Sequence, residues 1–165
     1  MKLRAFVKKI LLKLLSPFGL AIVQKKSLID FYLHEYNSYE EYRDIQIFHN
    51  KRKIKSIFAD EKTIKRVYKI LEKEFKKEKT INGICHGTRN GFEQNYLRSL
   101  SKKFDVFGTD ISETARDFEN SIQWDFHKTK KSWLGYFHFV YSNSLDQSYK
   151  PKKALQSWLS QLKPG

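Results

Sequence analysis

The chain has 165 residues, 40% of them hydrophobic and 15% aromatic; thirteen Phe, nine Tyr and three Trp supply enough large apolar surface for a core and exclude disorder along the whole length. Seven Gly, three Pro and a single Cys exclude collagen-like chains, low-complexity linkers, disulfide frameworks and cysteine-rich zinc modules. Lys and Arg number 32 against 18 Asp and Glu, a net charge of +14, which bears on anionic partners rather than on fold.

Residues 1–26 carry seven basic side chains and no acid. Within 1–15, Leu3, Phe6, Val7, Ile10, Leu11 and Leu14 fall at helical spacing with Arg4, Lys8, Lys9 and Lys13 largely between them, and Pro17 and Gly19 end the run. The segment reads as a basic amphipathic helix, too short and too often interrupted to span a bilayer. It is expected to lie on an anionic membrane surface, the alternative being a helix packed on its own domain. Residues 27–79 continue in helical periodicity, with Tyr39, Tyr42, Arg43, Gln46 and Ile47 sharing one helix and a break around 50–56. Asp60 then caps a second helix whose Ile64, Val67, Tyr68, Leu71 and Phe75 form one buried stripe. Its seven Lys and Arg, from Lys62 to Lys77, read as a solvated face, because no aromatic residues interleave with them to stack bases.

After Lys79 the periodicity changes. Short apolar runs at 80–85, 105–109, 121–123 and 137–142 alternate with helical or turn segments, an order that predicts βαβ units and a parallel sheet covered on both faces. Ligands bind such sheets outside the carboxyl ends of the strands. The first strand runs into Ile84-Cys85-His86-Gly87-Thr88-Arg89-Asn90-Gly91, a glycine-containing turn into a helix with Phe92, Tyr96, Leu97 and Leu100 toward the sheet. Its N–H groups are expected to favour an anion. It is neither a complete dinucleotide fingerprint nor a P-loop. The second strand ends in Asp110, 23 positions after Gly87, where a carboxylate can accept from ribose hydroxyls; otherwise it caps the turn beside Ser112. Beyond the third strand, Asp125 can accept from an exocyclic amine, with Phe126 or Trp124 as a ring face; the alternative is an exposed loop acid. The fourth apolar run turns polar at Ser142-Asn143-Ser144. A last helix starts at Pro151, buries Ala154, Leu155, Trp158, Leu159 and Leu162, and stops at Lys163-Pro164-Gly165.

In this order residues 80–165 resemble the class I S-adenosylmethionine-dependent methyltransferases, particularly the small-molecule and sugar-type enzymes. Ile84 to Gly91 looks like a variant of their Gly-x-Gly-x-Gly turn, Asp110 is similar to their ribose-binding acid and Asp125 to their adenine-binding acid. The segment from Phe137 to Asp146 resembles their fourth strand and loop, and Leu162-Lys163-Pro164-Gly165 their Leu-Lys-Pro-Gly-Gly ending. The resemblance implies an α/β, Rossmann-like, mostly parallel sheet over residues 80–165, which on the periodicity above follows an α-helical N-terminal region divided into the basic helix of 1–26 and the helical, core-packing 27–79. It also implies S-adenosylmethionine as cofactor, no metal, and contacts from Cys85, His86, Gly87, Thr88, Arg89, Gly91, Asp110, Ile111, Asp125, Phe126, Ser142 and Asn143. Methyl transfer is an in-line displacement that needs alignment more than covalent machinery. A hydroxyl acceptor would need a base, for which His86, His138 and Asp146 are the candidates by position, with Asn143 and Ser144 orienting the acceptor. His138 reads more simply as a core histidine. No Asn-Pro-Pro-Tyr motif follows the fourth strand, so no specific nucleic acid is expected, and the acceptor is a small molecule or saccharide. Members of the family continue past Leu-Lys-Pro-Gly into three further strands. The chain is therefore expected to be a truncated product, or one whose sheet edge is completed by a partner chain or a second copy, in the cytoplasm and peripheral to the inner membrane face.

Overall fold

The computed structural model describes residues 35–164; the basic segment 1–15 and the membrane role expected of it lie outside the described residues. Helix α1, Tyr39–Arg52, opens at Ser38, whose side chain accepts from the Glu41 N–H. It runs further than the break expected from residue 50, because no Gly or Pro interrupts it and Lys53 closes it with bonds to the His49 and Asn50 carbonyls. Helix α2, Glu61–Glu74, is capped by Asp60, which accepts from Thr63. Ile64 is fully buried, Tyr68, Leu71 and Phe75 pack on the core, and the lysines of the opposite face are exposed.

Strand β1, Ile81–His86, leads to α3, Phe92–Leu100; β2, Phe104–Asp110, leads through a single turn of tight helix to β3, Ser121–Gln123. Strand β4, Phe139–Ser142, is followed by α4, Pro151–Gln161, with Pro151 in its first turn. All pairings are parallel and the order is β3-β2-β1-β4, so the winding reverses between β1 and β4. This is the α/β arrangement with a parallel sheet expected from the alternation of elements, and it is compatible with a Rossmann-like fold.

Alternation along the strands sorts the core into two layers. Ile81, Cys85, Phe104, Val106 and Phe139 face α2 and α3. Ile84, Phe107 and Val140 face the other way, onto Trp133 and Phe137, while Phe126, Ala154 and Trp158 form a third cluster beneath α4. A side chain on Gly83 would run into the ring of Phe139, which fills that space from the neighbouring strand. Two expected faces differ from those observed. In α3 the buried face is Glu93, Gln94 and Leu97, with Phe92 and Tyr96 only partly buried at its flank toward α2. In α4 the buried face is Ala154, Ser157, Trp158 and Gln161, leaving Leu155 43% and Leu159 67% exposed. Among the described residues strand β4 is an edge of the sheet; beside its approach, Lys163 donates to the Phe137 carbonyl, and Phe137 and Leu162 form one parallel bridge.

Candidate functional site

The carboxyl ends of the strands converge on the turn 87–91, and its chemistry follows from its backbone. Gly87, Arg89 and Gly91 all adopt positive φ, of 72°, 48° and 75°, a sequence that curls successive N–H groups toward one side. The N–H groups of Gly87 and Thr88 donate to the Thr109 carbonyl, that of Gly91 to Thr88, and that of Arg89 to Asp110 Oδ2 at 2.9 Å. Of these N–H groups only that of Arg89 meets a carboxylate, the chain's own Asp110; the others are taken by backbone carbonyls. A side chain on Gly87 would strike Ser144, whose hydroxyl donates to the Gly87 carbonyl, so the loops after β1 and β4 are latched together.

Asp110 is 7% exposed. Its Oδ1 accepts from Ser112 N at 2.9 Å, the turn-capping bond expected as the alternative to ribose binding, and also from Asn50 Nδ2 at 2.8 Å. Burial pushes its carboxyl up from the ordinary value, against the pull of these donors and of Arg89. Thr114 Oγ1 donates to Asn50 Oδ1 at 2.9 Å, which turns the amide nitrogen toward the carboxylate.

Asp125, just past β3, heads a second chain of contacts. Its Oδ1 accepts from His127 N at 2.9 Å and lies 2.7 Å from His127 Nδ1, while Oδ2 accepts from Tyr39 OH at 2.9 Å. Burial opposes its ionisation, but the bonds from His127 and Tyr39 outweigh that and hold the carboxyl below its ordinary value. An ionised carboxylate only accepts, so the proton sits on Nδ1 and Nε2 accepts from Ser148 Oγ at 2.7 Å. His127 is buried among Phe126, Tyr42 and Tyr149. Neither His127 nor Ser148 stood out in the sequence; the one available signal was the Asp-x-His spacing of Asp125 and His127.

The remaining predicted residues fall in different places. Cys85 is fully buried, its thiol pushed well above the ordinary range by burial, and it belongs to the core layer toward α3. His86 is 1% exposed, with Nδ1 2.8 Å from Thr109 Oγ1 and Nε2 2.9 Å from Gln161 Oε1, and its ring stacks on Trp158. Burial pushes its pKa down to about 4. Phe126 packs against Trp158, whose indole donates to its carbonyl, so the ring is part of the core. Thr88 is buried, Ile111 and Ser142 half-buried, and Asn143 and Asp146 exposed, the last bonded to Gln147. Ser142 Oγ donates to the His86 carbonyl. His138 lies at the opposite end of the sheet, where Nδ1 accepts from Asn82 N and Nε2 lies 2.9 Å from Lys163 Nζ.

Glu93 in the first turn of α3 is 8% exposed, and burial pushes its pKa up to about 7 despite the nearby Arg89. Arg89 lies over the Phe58 ring at 4.6 Å and donates to the Ser56 carbonyl. A groove of about 780 Å³ opens beside this turn, lined by Ile54, Ile57, Phe92, Tyr96 and Phe118 with Asn90 and Asn95 at its polar side. Among the described residues no three His, Cys, Asp or Glu cluster as a metal site, and no helix is long and apolar enough to cross a membrane. No family model, curated protein or solved structure matches the chain.

Proposed function

We propose that the chain binds S-adenosylmethionine at the carboxyl ends of β1, β2 and β3 and transfers its methyl group to a small-molecule or saccharide acceptor. One observation carries the reading. The parallel order β3-β2-β1-β4 brings the glycine turn, Asp110 and Asp125 to one end of the sheet, each on its own strand end. The two carboxylates now accept from an amide and a phenol, the same kind of donor that ribose hydroxyls and an adenine amine present. In this reading Asp110 holds the ribose and Asp125 Oδ2 the amine, since Asp125 Oδ1 is committed to His127. The bound cofactor supplies an electrophilic methyl on sulfur; the chain aligns the acceptor and excludes water. His127, held by Asp125 at Nδ1 and bonded to Ser148 Oγ at Nε2, is the best-placed base once an acceptor hydroxyl takes the place of the Ser148 hydroxyl on Nε2. Residues 1–15 would dock the enzyme on an anionic membrane surface at the cytoplasmic side. Removing residues 1–26 should then abolish sedimentation with anionic vesicles.

The test is calorimetric titration with S-adenosylhomocysteine, comparing the full chain with Asp110→Asn. Saturable binding that the variant weakens at least about tenfold, as loss of a charged acceptor implies, is the expected result. Absence of binding by a cooperatively folded chain would discard the reading. A second reading, a non-catalytic subunit that docks a partner chain, is favoured by the edge position of β4 and the exposed Leu155 and Leu159. As a cofactor-binding or interaction subunit it predicts no methyl transfer and dependence on a co-expressed partner, whether or not the cofactor binds.

A further inference from the structure

Helix α1 differs from the other helices in what holds it. Of its 14 residues only Tyr42 and Asn50 are buried, and Phe48 is 59% exposed. Helices α2, α3 and α4 each insert an apolar side chain into a core layer against the sheet: Ile64, Leu97 and Ala154 with Trp158. Among the described residues, α1 instead meets the sheet at the carboxyl ends of the strands. Asn50 donates to Asp110, Tyr39 donates to Asp125, and Tyr42 packs on Tyr149 at 4.6 Å and His127 at 5.8 Å. An exposed ion pair from Lys51 to Glu113, at 2.6 Å, ties down its last turn, a contact worth little in water.

We propose that α1 is an intramolecular competitor of the nucleoside, with Asn50 standing on Asp110 where ribose hydroxyls would bond and Tyr39 on Asp125 where an adenine amine would. The inference rests on the nucleoside reading above. Its physical basis is that a carboxylate buried without a donor is costly. Asp110 holds two backbone donors, Ser112 N and Arg89 N, whether or not the site is filled; its remaining acceptor capacity is taken in the free chain by an Asn amide fixed by Thr114. Binding exchanges one set of donors for the other, so α1 must leave both carboxylates as the nucleoside arrives. The observed affinity is lowered by the fraction of molecules in which α1 is seated. Departure of α1 also uncovers Tyr149 and the Asp125, His127 and Ser148 chain, opening the base to an acceptor only once the nucleoside is present.

The experiment uses the full chain, S-adenosylhomocysteine as the probe, and two variants: Asn50→Ala, and Tyr39→Phe, which keeps the ring packing and deletes only the hydroxyl. Calorimetry gives the affinity, and hydrogen exchange read by mass spectrometry follows the α1 amides. Each variant should bind about three- to tenfold more tightly, the equivalent of one lost competing hydrogen bond. Saturating ligand should speed exchange in Tyr39–Arg52 while protecting the turn at 87–91. Binding left unchanged or weakened in both variants, or an α1 that becomes more protected with ligand, overturns the competitor while leaving the nucleoside reading intact. Failure of all three folded proteins to bind overturns both.

Discussion

Glu93 and His86 are buried titratable groups whose effects on stability have opposite sign. Glu93 keeps its proton in the folded chain up to about pH 7, whereas an exposed glutamate loses it near 4.5. The folded state then binds more protons between those values, so stability falls as pH rises through that window. His86 remains neutral in the fold down to about pH 4, while the unfolded chain takes up a proton near 6.5, so its contribution is present above 6.5 and lost as pH falls through the window. The two slopes oppose each other where the windows overlap. Glu93→Gln should therefore stabilise the protein at pH 8 by about 3 kcal/mol, change little at pH 4.5, and leave stability rising with pH up to about 6.5. Urea unfolding at these pH values reads the difference; equal stabilisation at both would show that Glu93 is not protonated in the fold. Gly87 gives a steric counterpart. An alanine there meets both positive φ and the Ser144 side chain, so Gly87→Ala should cost about 2–4 kcal/mol and broaden the melt, or fail to fold.

At the scale of elements, strand positions were legible because a strand end in an α/β chain is marked by a run of apolar residues turning polar. The run 105–109 became Phe104–Asp110 and 121–123 became Ser121–Gln123. Helix faces were less legible. Leu155 and Leu159 read as core from spacing alone, yet α4 turns Ser157 and Gln161 inward because Gln161 is needed on His86, and Trp158 fills the space beside it. A direct consequence is that Leu159→Lys should alter stability by less than about 0.5 kcal/mol, whereas Trp158→Ala should cost about 3–5 kcal/mol. Thermal melts of the two variants decide between the faces. If Leu159→Lys proved as damaging as Trp158→Ala, a partner or further chain covering that face would be indicated. Helix α1 was expected as a helix of the packing region, but nothing in its periodicity pointed to the strand ends. Its contacts with Asp110 and Asp125 join residues 60 and 86 positions apart.

At the scale of the molecule, a charge of +14 is set against a few exposed ion pairs, so self-repulsion opposes the compact state. Raising ionic strength from about 0.02 to about 0.3 M, which shortens the screening length below about 10 Å, should raise the melting temperature by a few degrees. A decline would mean that ion pairs outweigh the repulsion. Composition and periodicity by themselves determined the alternation of elements, the parallel sheet and the strand ends at which Gly87, Asp110 and Asp125 stand, since these follow from local patterns of apolar and turn residues. Only the tertiary structure decided that Asp110 is satisfied by Asn50, that Asp125 orders His127 against Ser148, and that His86 and Phe126 belong to the core. Those outcomes depend on which donors reach a buried acceptor and which rings fill a space, and both are set by segments distant in sequence that meet only when the sheet and its helices are packed.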